Sequence, residues 1–269
     1  MIERRAVTLI TGASAGIGRE LAREFAAQGH ELVLIARREQ RLTLLADDIA
    51  ASGRRRPLVL ALDLTRHDAV ERIDESLAAH GLEPQFVVNN AGFGLVGPIH
   101  DLDRAEQLAM IDLNVRTLTD LSLAWIGALE RHNGGILNVA SVAGFLPGPR
   151  MTVYYATKAF VVSFSEALHH ELAPRGIRVC ALCPGPVPTE FQARAGFAST
   201  RYSPLLTYSA ARTAQLGYRG LMRGRRVVVP GLSNKAIKIL AALLPHRVTL
   251  ALHDVYQRSR HAARSAASS

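Results

Sequence analysis

An alternation narrows the fold of this chain more than any other feature. Short apolar, β-branched runs recur at Val7–Ile10, Glu31–Ala36, Leu58–Leu62, Phe86–Val88, Ile136–Val139, Val179–Leu182 and Val227–Val229. Between them lie stretches of helical period: Arg19–Gln28, Gln40–Ala51, Ala69–His80, Arg104–Arg131, Tyr154–Ala173 and Ala210–Arg223. Apolar strands separated by amphipathic helices are the pattern of a parallel sheet, because each parallel pair needs a crossover that a helix supplies. Such crossovers are right-handed. Glycines punctuate the helix ends, Gly29 after the first and Gly134-Gly135 after the long one. The expectation is a doubly wound α/β fold.

A chain of 269 residues can bury a large core as one domain. No internal repeat or Pro/Gly/Ser-rich linker divides it. Residues 1–258 read as one domain, with 186–208 as a substrate lid and 232–258 as a helical extension. Pro245 splits that extension into two amphipathic pieces, and residues 259–269 read as a flexible tail. The net charge of +9 raises anionic partners. The basic residues are scattered and not interleaved with aromatics, which argues against nucleic acid. Contact of the basic, leucine-rich extension with a membrane surface is a minority expectation beside packing on the domain. The opening Met1-Ile-Glu-Arg-Arg5 lacks the apolar core of a signal peptide, and no apolar run spans a bilayer without a charge or proline. With two cysteines and no disulfide framework, a cytoplasmic location is expected.

Residues 9–21, LITGASAGIGREL, admit two readings. Gly12-Ala-Ser14-Ala-Gly16 fits the G-x-S-x-G elbow of a serine hydrolase. It follows the first strand, however, so no earlier strand exists to build an oxyanion hole. The same glycines fit a nucleotide turn better. Gly12 would permit the tight turn, Gly16 would admit a diphosphate, and Gly18 would let helix and strand pack closely. The helix N-terminus would then offer free N–H groups and a positive dipole. The second run ends in Arg37-Arg38, and the first acid is Glu39, already in the next helix. Arginine at a strand end suits a ribose 2′-phosphate, where a carboxylate would suit the 2′-hydroxyl. NADP(H) is therefore expected over NAD(H).

Tyr154-Tyr155-Ala-Thr-Lys158 is the sharpest chemical signal. Residues four apart share a helix face. An ammonium ~4 Å from a phenol at an effective dielectric of ~20 is worth ~4 kcal/mol. That could lower a tyrosine pKa of ~10 by ~3 units, into the range of a general acid or base. Ser141 lies just past Ile136–Val139, and Asn89-Asn90-Ala91-Gly92 follows another strand in the same way. Asn114, in DLNVRT, is a mid-helix asparagine that needs a purpose.

Taken together, these motifs resemble the short-chain dehydrogenase/reductases. The matching residues are Thr11–Gly18, Asp63-Leu64, Asn89–Gly92, Asn114, Ser141, Tyr154-x-x-x-Lys158 and Pro184-Gly185, in order over about residues 5 to 230. The resemblance implies a seven-stranded Rossmann sheet and an NADP-dependent oxidoreductase. Tyr154 would give a proton to the carbonyl oxygen, Lys158 would lower its pKa and bond the nicotinamide ribose, Ser141 would bond the same oxygen, and Asn114 would hold a relay water. It places Gly12, Ser14, Ala15, Gly16, Ile17 and Gly18 at the cofactor. With them stand Arg37, Arg38, Asp63 (adenine), Leu64, Asn90 (ribose), Ala91, Gly92, Pro184, Gly185, Val187 and Thr189. Many NADP-preferring members carry a basic residue where this chain has Ala15, so the cofactor expectation rests on Arg37 and Arg38. The resemblance further implies a homodimer or homotetramer through Arg104–Arg131 and Tyr154–Ala173.

Other features are expected to be structural. Cys180 and Cys183 spell C-x-x-C but would point to opposite faces of a strand. His169-His170 lacks the acid of a metal motif. Phe191, Phe197, Leu205 and Leu206 of the lid, with Phe93 and Leu146, suggest an apolar pocket. The expected activity is reduction of a fairly apolar carbonyl compound, or oxidation of the matching alcohol. The alternative is a catalytically silent NADP(H) sensor or scaffold.

Overall fold

The computed structural model describes residues 4–196 and 207–244, together with Arg247 and Leu250. Phe197, Leu205, Leu206, Pro245 and the tail 259–269 lie outside the described residues. The strands are β1 (Arg5–Thr11), β2 (Leu32–Ala36), β3 (Leu58–Ala61), β4 (Leu82–Asn89), β5 (Gly135–Val139), β6 (Arg178–Leu182) and β7 (Val227–Val228). They form one seven-stranded sheet in the order β3-β2-β1-β4-β5-β6-β7, with every pairing parallel. This is the doubly wound arrangement that the alternation implied, and the seven-stranded Rossmann sheet that the resemblance implied.

Buried on both faces, parallel strands can be apolar throughout. β2 and β5 are buried at every residue, whereas the edge strands β3 and β7 are half open. One face is covered by α1 (Gly16–Ala27), α2 (Glu39–Ala51) and α9 (Ala210–Met222), which pack Phe25, Leu42 and Leu221 against Ile10, Leu34 and Leu137. The other is covered by α3 (Ala69–Ala79), α5 (Leu118–Leu123), α6 (Ile126–Arg131) and α7 (Thr152–Leu172), packing Ile73, Leu129 and Leu168 against Leu9, Val33 and Ile136. Cys180 and Cys183 are both buried and fall in different apolar clusters. Burial pushes the Cys180 thiol up to about 12, so it is a small core residue, not a nucleophile.

The long helix expected over Arg104–Arg131 is not continuous. It runs as α4 (Arg104–Ile111), a π-helical segment (Asp112–Thr117), α5, a break at Ala124-Trp125, and α6. A π-segment widens the turn by one residue, and it brings Asn114 to 1% exposure in the core. At the break, the Trp125 indole N–H donates to Asp74 of α3. The apolar period of this stretch reports burial, and burial survives both interruptions.

The expected lid also holds structure of its own, α8 (Glu190–Ala195), capped by Thr189. In the expected extension, α10 (Leu232–Leu243) packs beside the 3-10 turn Val142–Phe145.

Candidate active site

The sheet order reverses between β1 and β4, which neighbour each other while β2 and β5 run outward on either side. In open α/β sheets, ligands bind beyond the carboxyl ends of the strands at such a switch point. A cleft of about 990 Å³ lies there. Its wall holds Gly12, Ser14, Ala15, Gly16 and Ile17 of the first turn, Arg37 and Arg38 after β2, and Asp63 and Leu64 after β3. It also holds Asn90, Ala91 and Gly92 after β4, Ser141 after β5, Tyr154 and Lys158 on α7, and Pro184, Gly185, Val187 and Thr189 after β6. Gly18 and Asn114 stand behind this wall.

The first turn needs its glycines. Gly12 sits at φ +64°, and a Cβ there would lie 2.8 Å from the Asn90 amide nitrogen and 2.9 Å from the Ala91 Cα. A Cβ on Gly18 would run into that same amide and the Gly12 carbonyl. The Asn90 amide fills this space for a reason. It donates to the Thr11 carbonyl at 2.9 Å and the Gly12 carbonyl at 3.3 Å, pinning the turn to the end of β4. The Thr11 hydroxyl accepts from the Asn90 and Ala91 N–H groups from the other side. Ala15 offers no side-chain cap, so the first turn of α1 opens on the cleft with its own N–H groups. A bare helix start, a turn kept open by its glycines and a cleft of this size fit the diphosphate of a dinucleotide.

The β2 side of the cleft is charged. Arg38 donates through Nε and Nη2 to the Ser14 hydroxyl at 3.2 and 3.0 Å, and through Nη1 to Glu190 at 2.7 Å. Arg41, which no motif in the sequence marks, also bonds Glu190. Arg37 stands 4.0 Å from Asp63. Burial opposes ionisation of Asp63, but hydrogen bonds from Thr65 and the nearby arginines outweigh it and hold the carboxyl below its ordinary range. Arg194, also unforeseen, lays its guanidinium 4.3 Å from the centre of the Phe93 ring. Burial and the neighbouring Arg37 push its pKa down.

The β5 side is buried. Lys158 is 6% exposed and donates to the Val139 carbonyl at 2.8 Å. Its ammonium lies 5.9 Å from the centre of the Tyr154 ring, on the same helix face, as the spacing implied. Desolvation lowers the ammonium pKa to about 8. Tyr154 is 9% exposed and packs its ring against Phe191 at 5.4 Å. The Ser141 hydroxyl caps the Val142–Phe145 turn, accepting from Ala143 N–H at 3.1 Å. Asn114 clamps the loop after Gly92: its amide donates to the Phe93 carbonyl and the Thr157 hydroxyl, and its oxygen accepts from Phe93 N–H. This supplies the purpose that a mid-helix asparagine needed.

Phe93, Leu146, Met151, Phe191 and Ile237 give this side an apolar lining. Ile237 and the buried Asn234 bring α10 into the wall. The His169 ring bonds the Val179 carbonyl, a packing role.

The family model described as short chain dehydrogenase matches residues 6–198. Sulfoacetaldehyde reductase 2 of Chromohalobacter salexigens is 40% identical over 188 residues, covering 69% of this chain and 74% of that protein. A short-chain dehydrogenase from Sphingobium yanoikuyae, solved in complex with NADPH, superposes with a TM-score of 0.76 at 32% identity, covering 90% of this chain and 96% of that one. The 3-ketoacyl-(acyl-carrier-protein) reductase of Brucella melitensis, solved with NADH, gives 0.75 at 26% identity, covering 86% and 98%.

Proposed function

The chain belongs to the short-chain dehydrogenases, and from that premise we propose that it is an NADP(H)-dependent reductase of carbonyl compounds with Tyr154 as its general acid. The observation that carries this reading is the pairing of Tyr154 with a buried Lys158 at the edge of a dinucleotide-sized cleft.

The first turn, Asn90 to Gly92 and Pro184 to Thr189 would hold the dinucleotide, with Leu64 and Asp63 at its adenine. Arg37 and Arg38 would take the 2′-phosphate, as a guanidinium fork accepts phosphate oxygens in pairs. The bound nicotinamide supplies the hydride. The chain's own residues handle the proton. The Lys158 ammonium, held by the Val139 carbonyl, favours the phenolate of Tyr154 by its charge, so the phenol gives up its proton more readily. Ser141 orients the carbonyl oxygen that receives it. Asn114 acts by position, fixing the loop after Gly92 and so the floor of the cleft; a water held there would feed the relay.

The apolar side of the cleft favours a substrate with apolar surface near its carbonyl. A specific observation favours a second reading. Arg194 is drawn into the cleft over Phe93, where a negatively charged substrate group could meet it, and one relative is named for a sulfonated aldehyde. Assembly as a homodimer or homotetramer fits the exposed Leu108, Ile111, Leu123 and Phe160 on the α4–α6 and α7 faces.

The test is a panel of carbonyl compounds, from acidic aldehydes to long-chain and steroid ketones, followed by NADPH and NADH absorbance. Consumption of NADPH in preference to NADH supports the reading. Equal use of NADH contradicts the cofactor assignment. NADPH binding without turnover of any compound would favour the silent sensor. Preference for acidic aldehydes, lost on Arg194→Ala, would select the second reading.

A further inference from the structure

The proton relay has no use for Glu190, yet this residue lies at the centre of the charged rim. It is the first residue of α8, directly after the cap Thr189. The Thr189 side chain lies 3.1–3.2 Å from where a Gly16 Cβ would stand, so α8 begins against the glycine turn. From that position the Glu190 carboxylate spans Arg38 and Arg41, one oxygen to each. These contacts bridge 152 and 149 residues of chain. Arg38 is held from its other edge by the Ser14 hydroxyl. The carboxylate thus occupies the guanidinium edges that a phosphate at the end of β2 would need. Hydrogen bonds from the two arginines hold it ionised below the ordinary carboxylate range.

We propose that Glu190 is an internal competitor for the 2′-phosphate of NADP(H), a specificity-determining latch that the phosphate must displace from Arg38 and Arg41. The proposal rests on the NADP(H) reading above. Its physics is an exchange of anions. All three side chains are about half exposed, at 45%, 47% and 54%, and exposed pairs hold weakly. A phosphate monoester brings a charge of about −1.5 to −2 and three acceptor oxygens against the single charge and two oxygens of a carboxylate. It therefore wins the arginines at the cost of the latch. A cofactor without the 2′-phosphate leaves Glu190 in place and incurs no such cost. Glu190 consequently narrows the preference for NADP(H) over NAD(H), and its release couples cofactor binding to the start of α8.

The experiment titrates the full chain with adenosine 2′,5′-bisphosphate and with 5′-AMP, which lacks only the 2′-phosphate, by calorimetry. The proteins are wild type, Glu190→Gln and Arg38→Ala. The expected result is that Glu190→Gln binds the bisphosphate about three- to tenfold tighter than wild type, with 5′-AMP unchanged within about twofold. Arg38→Ala should lose the preference for the bisphosphate. If wild type prefers the bisphosphate but Glu190→Gln binds it no tighter, the latch is wrong and the NADP(H) reading stands. If wild type binds both nucleotides alike, the NADP(H) reading fails and the latch with it. Glu190→Ala, which removes the carboxylate by a different route, must move in the same direction; opposite behaviour of the two variants overturns the proposal.

Discussion

Arg38, on the β2 side of the cleft, keeps 45% of its side chain in water and meets a carboxylate at 2.7 Å. Lys158, on the β5 side, is 6% exposed and meets a carbonyl oxygen at 2.8 Å. Both are cations, and both line one cleft. The exposed one is paired with Glu190 in a contact that surrounding water weakens. The buried one has no carboxylate bonded to it among the described residues, and desolvation brings its pKa down to about 8. On the proposed reading, one side exchanges anions and the other presses a charge on a neighbouring phenol. Folding tolerates the second arrangement because the large apolar core around the parallel sheet can offset it.

The comparison breaks most sharply at Tyr154. Tyr154→Phe should cut reduction about a hundred- to ten-thousandfold while NADPH still binds, read by stopped-flow rates and by fluorescence of the bound nicotinamide. Lys158→Met comes next and should separate function from stability. Activity should fall by a comparable factor, yet the unliganded protein at pH 7 should be at least as stable as wild type. The sign follows from the pKa. The lysine is lowered from 10.5 to about 8 in the folded chain, so the unfolded chain holds more protons between those values. Wild type should gain up to about 3 kcal/mol as pH rises through that window, and the gain should be missing from the methionine variant. Urea melts at pH 7 and pH 10 measure the difference.

On the other side the effects are smaller. Arg38→Ala should weaken NADPH about tenfold to a hundredfold, one to two charge-assisted contacts' worth, and leave NADH nearly unchanged in parallel titrations. Smallest of all is a control on exposed pairing itself. Arg56 and Asp47 pair at 2.8 Å with about half of each side chain in water. Asp47→Asn should shift stability by less than about 1 kcal/mol in a thermal melt. A larger effect would undermine the claim that exposed pairs here open easily.

The strands, the glycine turn and the Tyr154–Lys158 face were all legible in the sequence, because each depends on spacing within a few residues. The apolar period of parallel strands and the four-residue step of a helix are local rules. What escaped lies across long separations. Glu190 meets Arg38 over 152 residues, and no pattern near either residue announces the other. Arg194 reads as an ordinary helix arginine until the fold sets it over Phe93. Asn114 could be picked out as unfavourable in a regular helix, but its partners on Phe93 and Thr157 are set by packing. The break in Arg104–Arg131 was invisible for the opposite reason: a π-segment preserves burial on one face, so the apolar pattern continues through it. The stretch that forms α10 read as packing on the domain, and the fold brings Asn234 and Ile237 into the cleft wall.

The most direct test of the account compares wild type with Tyr154→Phe under one set of conditions. NADPH consumption is followed with the best carbonyl compound of the panel, and NADPH binding is followed without it. The account predicts that wild type consumes NADPH, that the variant does not, and that both bind it with similar affinity. A variant that keeps wild-type turnover would contradict the assignment of Tyr154 as the acid and, with it, the proposed reading of the cleft.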